Sequence, residues 1–193
     1  MKKIAVFASG SGTNAEKLFE KFQHHPAVQV ALLLTNNPRA GAIARAERFG
    51  IPVEVFSKDT LENTDQIISS LKQREISLIV LAGFMIKIPE HLIRAFPDRI
   101  INIHPALLPA YGGAGMYGRY VHEAVVAAGE AQTGISIHYV NEHYDEGRIV
   151  LQVSCPIAPT DSLTNVAAKV QQLEHQYYPE VVEEIALTLR EAS

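Results

Sequence analysis

Ile4-Ala5-Val6-Phe7-Ala8, running into Ser9-Gly10-Ser11-Gly12-Thr13-Asn14, is an unbroken apolar run that stops at a glycine turn. An apolar run without alternation suits a strand buried on both faces. A helical pattern follows from Thr13 to about His24. The same unit recurs outward along the chain. Val28 to Thr35 reads as a strand and Pro38 to Phe49 as a helix, with Pro38 in the first turn and Gly50 as the C-terminal cap. Val53 to Phe56 is a brief strand, Thr60 to Arg74 a helix, and Leu78 to Leu81 a strand ending at Ala82-Gly83. This βαβα rhythm with continuous apolar strands predicts a parallel sheet covered on both faces by helices.

The segment Ile100-Ile101-Asn102-Ile103-His104-Pro105 places an amide and an imidazole inside another buried strand. Side chains two apart share a face, so Asn102 and His104 emerge together while Ile101 and Ile103 pack the other way. Pro105 ends the strand and leaves His104 near its carboxyl end, where open α/β sheets collect ligands. An amide donor beside a titratable ring fits a reaction that builds an oxyanion and moves a proton. Two satisfied core polar groups are the plain alternative. Beyond His104 the rhythm changes. Residues 106 to 116 form a loop rich in Pro, Gly and Ala, and Tyr117 to Ala128 a helix. Thr133 to Val140 and Arg148 to Val153 are two strands, an antiparallel addition to the sheet. Asp161-Ser162 is placed to cap a final helix that Pro179 should kink or divide.

Composition narrows the classes. The chain has 193 residues, 47% of them apolar and 20% charged, with formal net charge −4 and one cysteine. These values suit one globular domain spanning residues 1–193. A negative chain without clustered Lys and Arg is not expected to bind nucleic acid. Cys155 can form no internal disulfide, and no apolar stretch approaches the roughly 20 residues a membrane span needs. A cytoplasmic protein is expected.

Three further stretches carry chemistry or only structure. Ser9 to Asn14 opens a helix whose free N–H groups suit an anion, or is a plain turn capped by Thr13 or Asn14. It is neither a Walker loop nor a full dinucleotide fingerprint. Ala82 to Pro89 follows the fourth strand as core, or as the wall of a slot for a flat heterocycle. Asn141-Glu142-His143-Tyr144-Asp145-Glu146-Gly147 is a solvated hairpin, or brings one carboxylate to His104 and favours the imidazolium. No zinc-protease or serine-elbow spacing occurs, so no metal is expected.

Taken together, Gly10 to Asn14, Leu81-Ala82-Gly83-Phe84-Met85, the string Asn102-Ile103-His104-Pro105-Ala106-Leu107-Leu108-Pro109, and Asp145 resemble the phosphoribosylglycinamide formyltransferases. These GAR transformylases are folate-dependent formyltransferases of purine synthesis. The resemblance runs along the whole chain in order. It implies a Rossmann-like, mostly parallel sheet with helices on both faces and an antiparallel C-terminal addition. It also implies transfer of a formyl group from 10-formyltetrahydrofolate, a co-substrate, to the amine of glycinamide ribonucleotide (GAR).

The resemblance makes His104 the proton-transferring histidine, Asn102 the oxyanion donor, and Asp145 the acid that holds the histidine protonated. It gives the GAR phosphate and ribose to Gly12, Thr13, Asn14 and Glu174. Met85, Ile86, Lys87 and Ile88 would line the folate pocket with Asn102, and Glu142 and Tyr144 would face them. Many members carry arginine where this chain has Ile86. A homodimer is compatible with this reading. Formyltetrahydrofolate deformylase, methionyl-tRNA formyltransferase and a non-catalytic nucleotide-binding module remain as alternatives. The first two are expected to need an added domain for which the chain has no room.

Overall fold

Alternating side chains of the central strands feed two separate apolar layers. The structure, a computed structural model, describes residues 1–189. Its strands are β1 (Lys2–Phe7), β2 (Val28–Thr35), β3 (Val53–Val55), β4 (Ile76–Leu81), β5 (Ile100–His104), β6 (Gln132–Tyr139) and β7 (Ile149–Pro156). They form one sheet in the order β3-β2-β1-β4-β5-β6-β7. The first five are mutually parallel; β6 and β7 are antiparallel additions. Both features match the expectation from sequence.

The helices are α1 (Thr13–Phe22), α2 (Gly41–Arg48), α3 (Lys58–Asn63), α4 (Gln66–Gln73), α5 (Glu90–Ala95), α6 (Arg119–Ala127) and α7 (Leu163–Thr188). Ile4, Val6, Leu78, Val80, Ile101 and Ile103 pack with α1, α2 and α7. Ala5, Phe7, Ile79, Leu81 and Ile100 pack with α3, α4 and α5 on the opposite face. Each fully buried Leu or Ile contributes about 1.5–3 kcal/mol, which makes this frame rigid under the loops at the strand ends. Among the described residues, no helix is long and apolar enough to cross a membrane.

Several boundaries differ from the sequence reading. Pro38 lies in a turn, and α2 begins at Gly41. There Asn37 accepts from the Arg39 N–H through its side chain and from the Ala40 N–H through its carbonyl, closing the turn before a helix can start. The helix expected from Thr60 to Arg74 is two helices. Thr64 is extended, donates its hydroxyl to the Thr60 carbonyl at 2.7 Å and accepts from Gln66 N–H, competing with the helical ladder. α5 was not anticipated. Pro179 does not divide α7, which runs unbroken behind a capping box made by Ser162 and Asn165.

The chain leaves β1 toward β2 and β3, then returns to the other side at β4. That reversal opens a crevice at the carboxyl ends of β1 and β4, the usual ligand position in such sheets.

Candidate active site

A cavity of about 370 Å³ lies in this crevice. At one end is the turn after β1. Gly12 is the N-cap of α1, at φ 77°, and a Cβ there would lie 2.5 Å from the Ala42 Cα. Neither Thr13 nor Asn14 caps α1 through its side chain, contrary to the plain-turn reading. Instead Gln171 of α7 donates to the Thr13 hydroxyl at 3.3 Å, and Asn14 Nδ2 donates to Glu174 Oε2 at 3.0 Å. Burial pushes the Glu174 carboxyl above its ordinary value, only partly offset by Asn14. Among the described residues, buried Asn14 Oδ1 has no partner, an acceptor open to a ligand donor.

Met85, Ile86, Lys87 and Ile88 line the other end, after β4. Ser9 Oγ accepts from the Met85 N–H at 3.0 Å and donates to Asn36, so the first turn braces this loop. Tyr144 and Asp145 face it from the β6–β7 loop. Lys87 Nζ sits 5.4 Å from the centroid of the Tyr144 ring, bridging the two walls by a cation–π contact. Glu142 is exposed and lies outside the cavity wall, apart from the other sequence-predicted residues.

Asn102, His104 and Asp145 meet between these ends; strand alternation anticipated the first two sharing a face, and the carboxylate comes from the β6–β7 loop. His104 Nδ1 is 3.6 Å from Asp145 Oδ2, and its Nε2–H donates to the Tyr111 carbonyl at 2.7 Å. The Gly113 N–H donates to Asp145 Oδ2 at 3.0 Å. β5 and β6 pair Asn102 with His138. His138 Nδ1–H donates to the Tyr139 carbonyl at 2.8 Å, so Nε2 accepts from Asn102 Nδ2 at 3.2 Å. The same Nε2 is 3.5 Å from Asp145 Oδ1, an ion-pair distance only if the ring is protonated.

The surroundings of His104 pull its charge in opposite directions. Burial lowers its pKa, and the opposing pull of Asp145 and of the Tyr111 carbonyl does not restore it. Burial thus disfavours the imidazolium that the resemblance implies. Asp145 has the opposite balance. Burial pushes it up, but His138 when its ring is protonated, the Gly113 N–H and His104 when its ring is protonated win and hold it below the usual carboxylate range.

His138 and His122 were missed. Ile135-Ser136-Ile137-His138 repeats the alternation of Ile101-Asn102-Ile103-His104, which was signal enough to put a second imidazole on that face. His122 lines the cavity from α6, and no spacing pointed to it. Gln171 stands three residues before Glu174, hence on the same helix face. Among the described residues, no group of three or more His, Cys, Asp or Glu is arranged to hold a metal.

An anion-ready turn and an apolar slot thus meet at an amide, imidazoles and a carboxylate. The chain belongs to the formyl transferase family, whose profile matches residues 2–182. It is 38% identical to the phosphoribosylglycinamide formyltransferase of Bacillus subtilis, over 96% of this chain and 95% of that one. It is 44% identical to the chloroplastic phosphoribosylglycinamide formyltransferase of Vigna unguiculata, over 94% of this chain, but spans only 60% of that relative's length. A crystal structure of the phosphoribosylglycinamide formyltransferase of Anaplasma phagocytophilum superposes with TM-score 0.89 at 32% identity. That superposition covers 97% of this chain and 87% of the other.

Proposed function

We propose that this chain transfers the formyl group of 10-formyltetrahydrofolate to the amine of glycinamide ribonucleotide, a step of purine synthesis. The convergence of Asn102, His104 and Asp145 on one point between the two halves of the cavity carries this reading. The phosphate would sit on the N–H groups at Gly12, Thr13 and Asn14, at the positive end of α1. Glu174 and the orphaned Asn14 Oδ1 are placed to take ribose hydroxyls. The pterin would fill the slot along Met85 to Ile88, with Tyr144 as its lid.

The amine attacks the formyl carbon, a C–N bond forms, and the carbonyl pair moves onto oxygen. Asn102 Nδ2 has two protons, one engaged by His138, and offers the other to this oxygen. Neutral His104 takes the proton that the amine loses. Asp145 stabilises the resulting imidazolium, which returns the proton to the folate nitrogen as the bond from formyl carbon to that nitrogen breaks. No covalent enzyme intermediate is required. Oxyanion donors of this kind are typically worth about 10² to 10³ in rate, and a positioned acid–base about 10² to 10⁴.

The test is absorbance of the tetrahydrofolate product with and without GAR. Product only when GAR is present supports the transferase. Product at equal rate without GAR makes water the acceptor and replaces this reading with a deformylase, and no product in either case supports a binding module.

A further inference from the structure

The loop after β5 grips both members of the histidine–aspartate pair with its backbone. The Tyr111 carbonyl accepts the His104 Nε2–H at 2.7 Å, and two residues later the Gly113 N–H reaches Asp145 Oδ2 at 3.0 Å. A carbonyl can only accept, so this contact fixes a proton on Nε2 in every charge state of the ring. The other nitrogen, Nδ1, then faces an acceptor 3.6 Å away at Asp145.

Tyr111 has φ 56°, a left-handed conformation that a residue with a bulky side chain seldom holds without support. The support lies outside the cavity. The Tyr111 hydroxyl donates to Glu130 Oε1 at 2.6 Å, and its ring packs on Ala106, Val121 and Val125. Glu130 follows the turn at Gly129, which joins α6 to β6. The tether thus links the strand carrying His138 to the carbonyl that orients His104.

We infer that Tyr111, anchored by Glu130, is a positioning residue that keeps a proton on His104 Nε2 and makes Nδ1 the nitrogen that takes and returns the transferred proton. The inference deepens the transferase reading and rests on it for the identity of that proton. In the step, the amine proton moves to Nδ1 as the new C–N bond forms. It moves on to the folate nitrogen as that nitrogen receives the electron pair of the bond it loses. The titratable groups around the ring are Asp145 from the β6–β7 loop, His138 from β6 and His122 from α6.

The experiment reads the ring directly. Protein labelled with ¹⁵N-histidine is examined by long-range ¹H–¹⁵N correlation between pH 5 and 9 without substrate, and His104→Gln identifies the His104 signals. The expected spectrum has Nε2 protonated throughout and Nδ1 alone changing on titration. Tyr111→Phe and Glu130→Ala should each give a mixture of tautomers and lower kcat about tenfold, with both KM values changed less than about twofold. Glu130→Gln, whose amide oxygen still accepts from the phenol, should restore the single tautomer. The remaining histidine signals report that each variant is folded. A wild-type ring protonated on Nδ1 at high pH overturns the inference, as does an unaltered tautomer in both Tyr111→Phe and Glu130→Ala. Failure of the transferase reading appears separately, as absence of GAR-dependent turnover in the wild-type protein.

Discussion

Asn102 donates one amide proton to His138 Nε2 and keeps the other for the cavity. His138 is thereby a rotamer lock, because its own Nδ1–H is spent on the Tyr139 carbonyl. Replacing Asn102 by alanine removes the donor without disturbing the turn that would hold the phosphate. Steady-state kinetics of Asn102→Ala should show kcat lowered about 10² to 10³, with KM for GAR within about threefold; an equal loss in both would count against an oxyanion role. Asn102 and His104 were legible in the sequence because strand alternation alone puts them together. The balance of influences on the His104 ring was not. Spacing in the 141–147 loop says neither which acid reaches His104 nor how much water the ring loses, and burial decides the direction of its shift.

The element-scale lesson is in the joints. β1, β2 and β4 were readable because two-sided burial demands unbroken apolar runs, and the antiparallel β6–β7 pair followed from a polar hairpin between two such runs. The split at Thr64 was hidden, since a hydroxyl competing with the backbone depends on local geometry that hydrophobic periodicity does not record. α5 is only Glu90–Ala95, too short for its period to register. Gly12 is the joint with the greatest consequence, because α1 and α2 approach each other over it. A methyl group at Gly12 must meet the Ala42 backbone at 2.5 Å and adopt φ 77°. A left-handed alanine costs about 1–2 kcal/mol and overpacking about 1–3 kcal/mol. Gly12→Ala should therefore lose about 3 kcal/mol in urea unfolding and raise KM for GAR at least about tenfold. A variant of unchanged midpoint would mean that α2 moves aside freely, and the turn would not be the rigid cradle described above.

At the scale of the whole molecule, three histidines are held below their ordinary pKa by burial. His104 and His122 line the cavity, while His175 lies on α7, facing Lys17 and other charged groups of α1 and α2. In the unfolded chain each titrates near about 6.5. Between that value and the lower folded one, the unfolded state binds more protons, so stability rises with pH and is lost as pH falls. Glu174 acts in the opposite sense. Its raised pKa makes the folded state bind the extra proton above the ordinary carboxylate value, so acid relieves it. Asp145, depressed in the fold, withdraws its contribution only below about pH 4. Three histidine shifts against one carboxylate place the onset of acid destabilisation below about pH 6.5 rather than near pH 4. The thermal midpoint should be level from pH 7 to 8 and lower at pH 5.5 by at least about 2 °C, the equivalent of roughly 1 kcal/mol for a chain of this size. Calorimetry at fixed ionic strength makes the measurement, and His175→Gln, which leaves the cavity intact, should narrow the drop. A midpoint that holds steady or climbs toward pH 5.5 would mean that the Glu174 relief outweighs all three imidazoles, and that burial of these rings does not set the acid response of the fold.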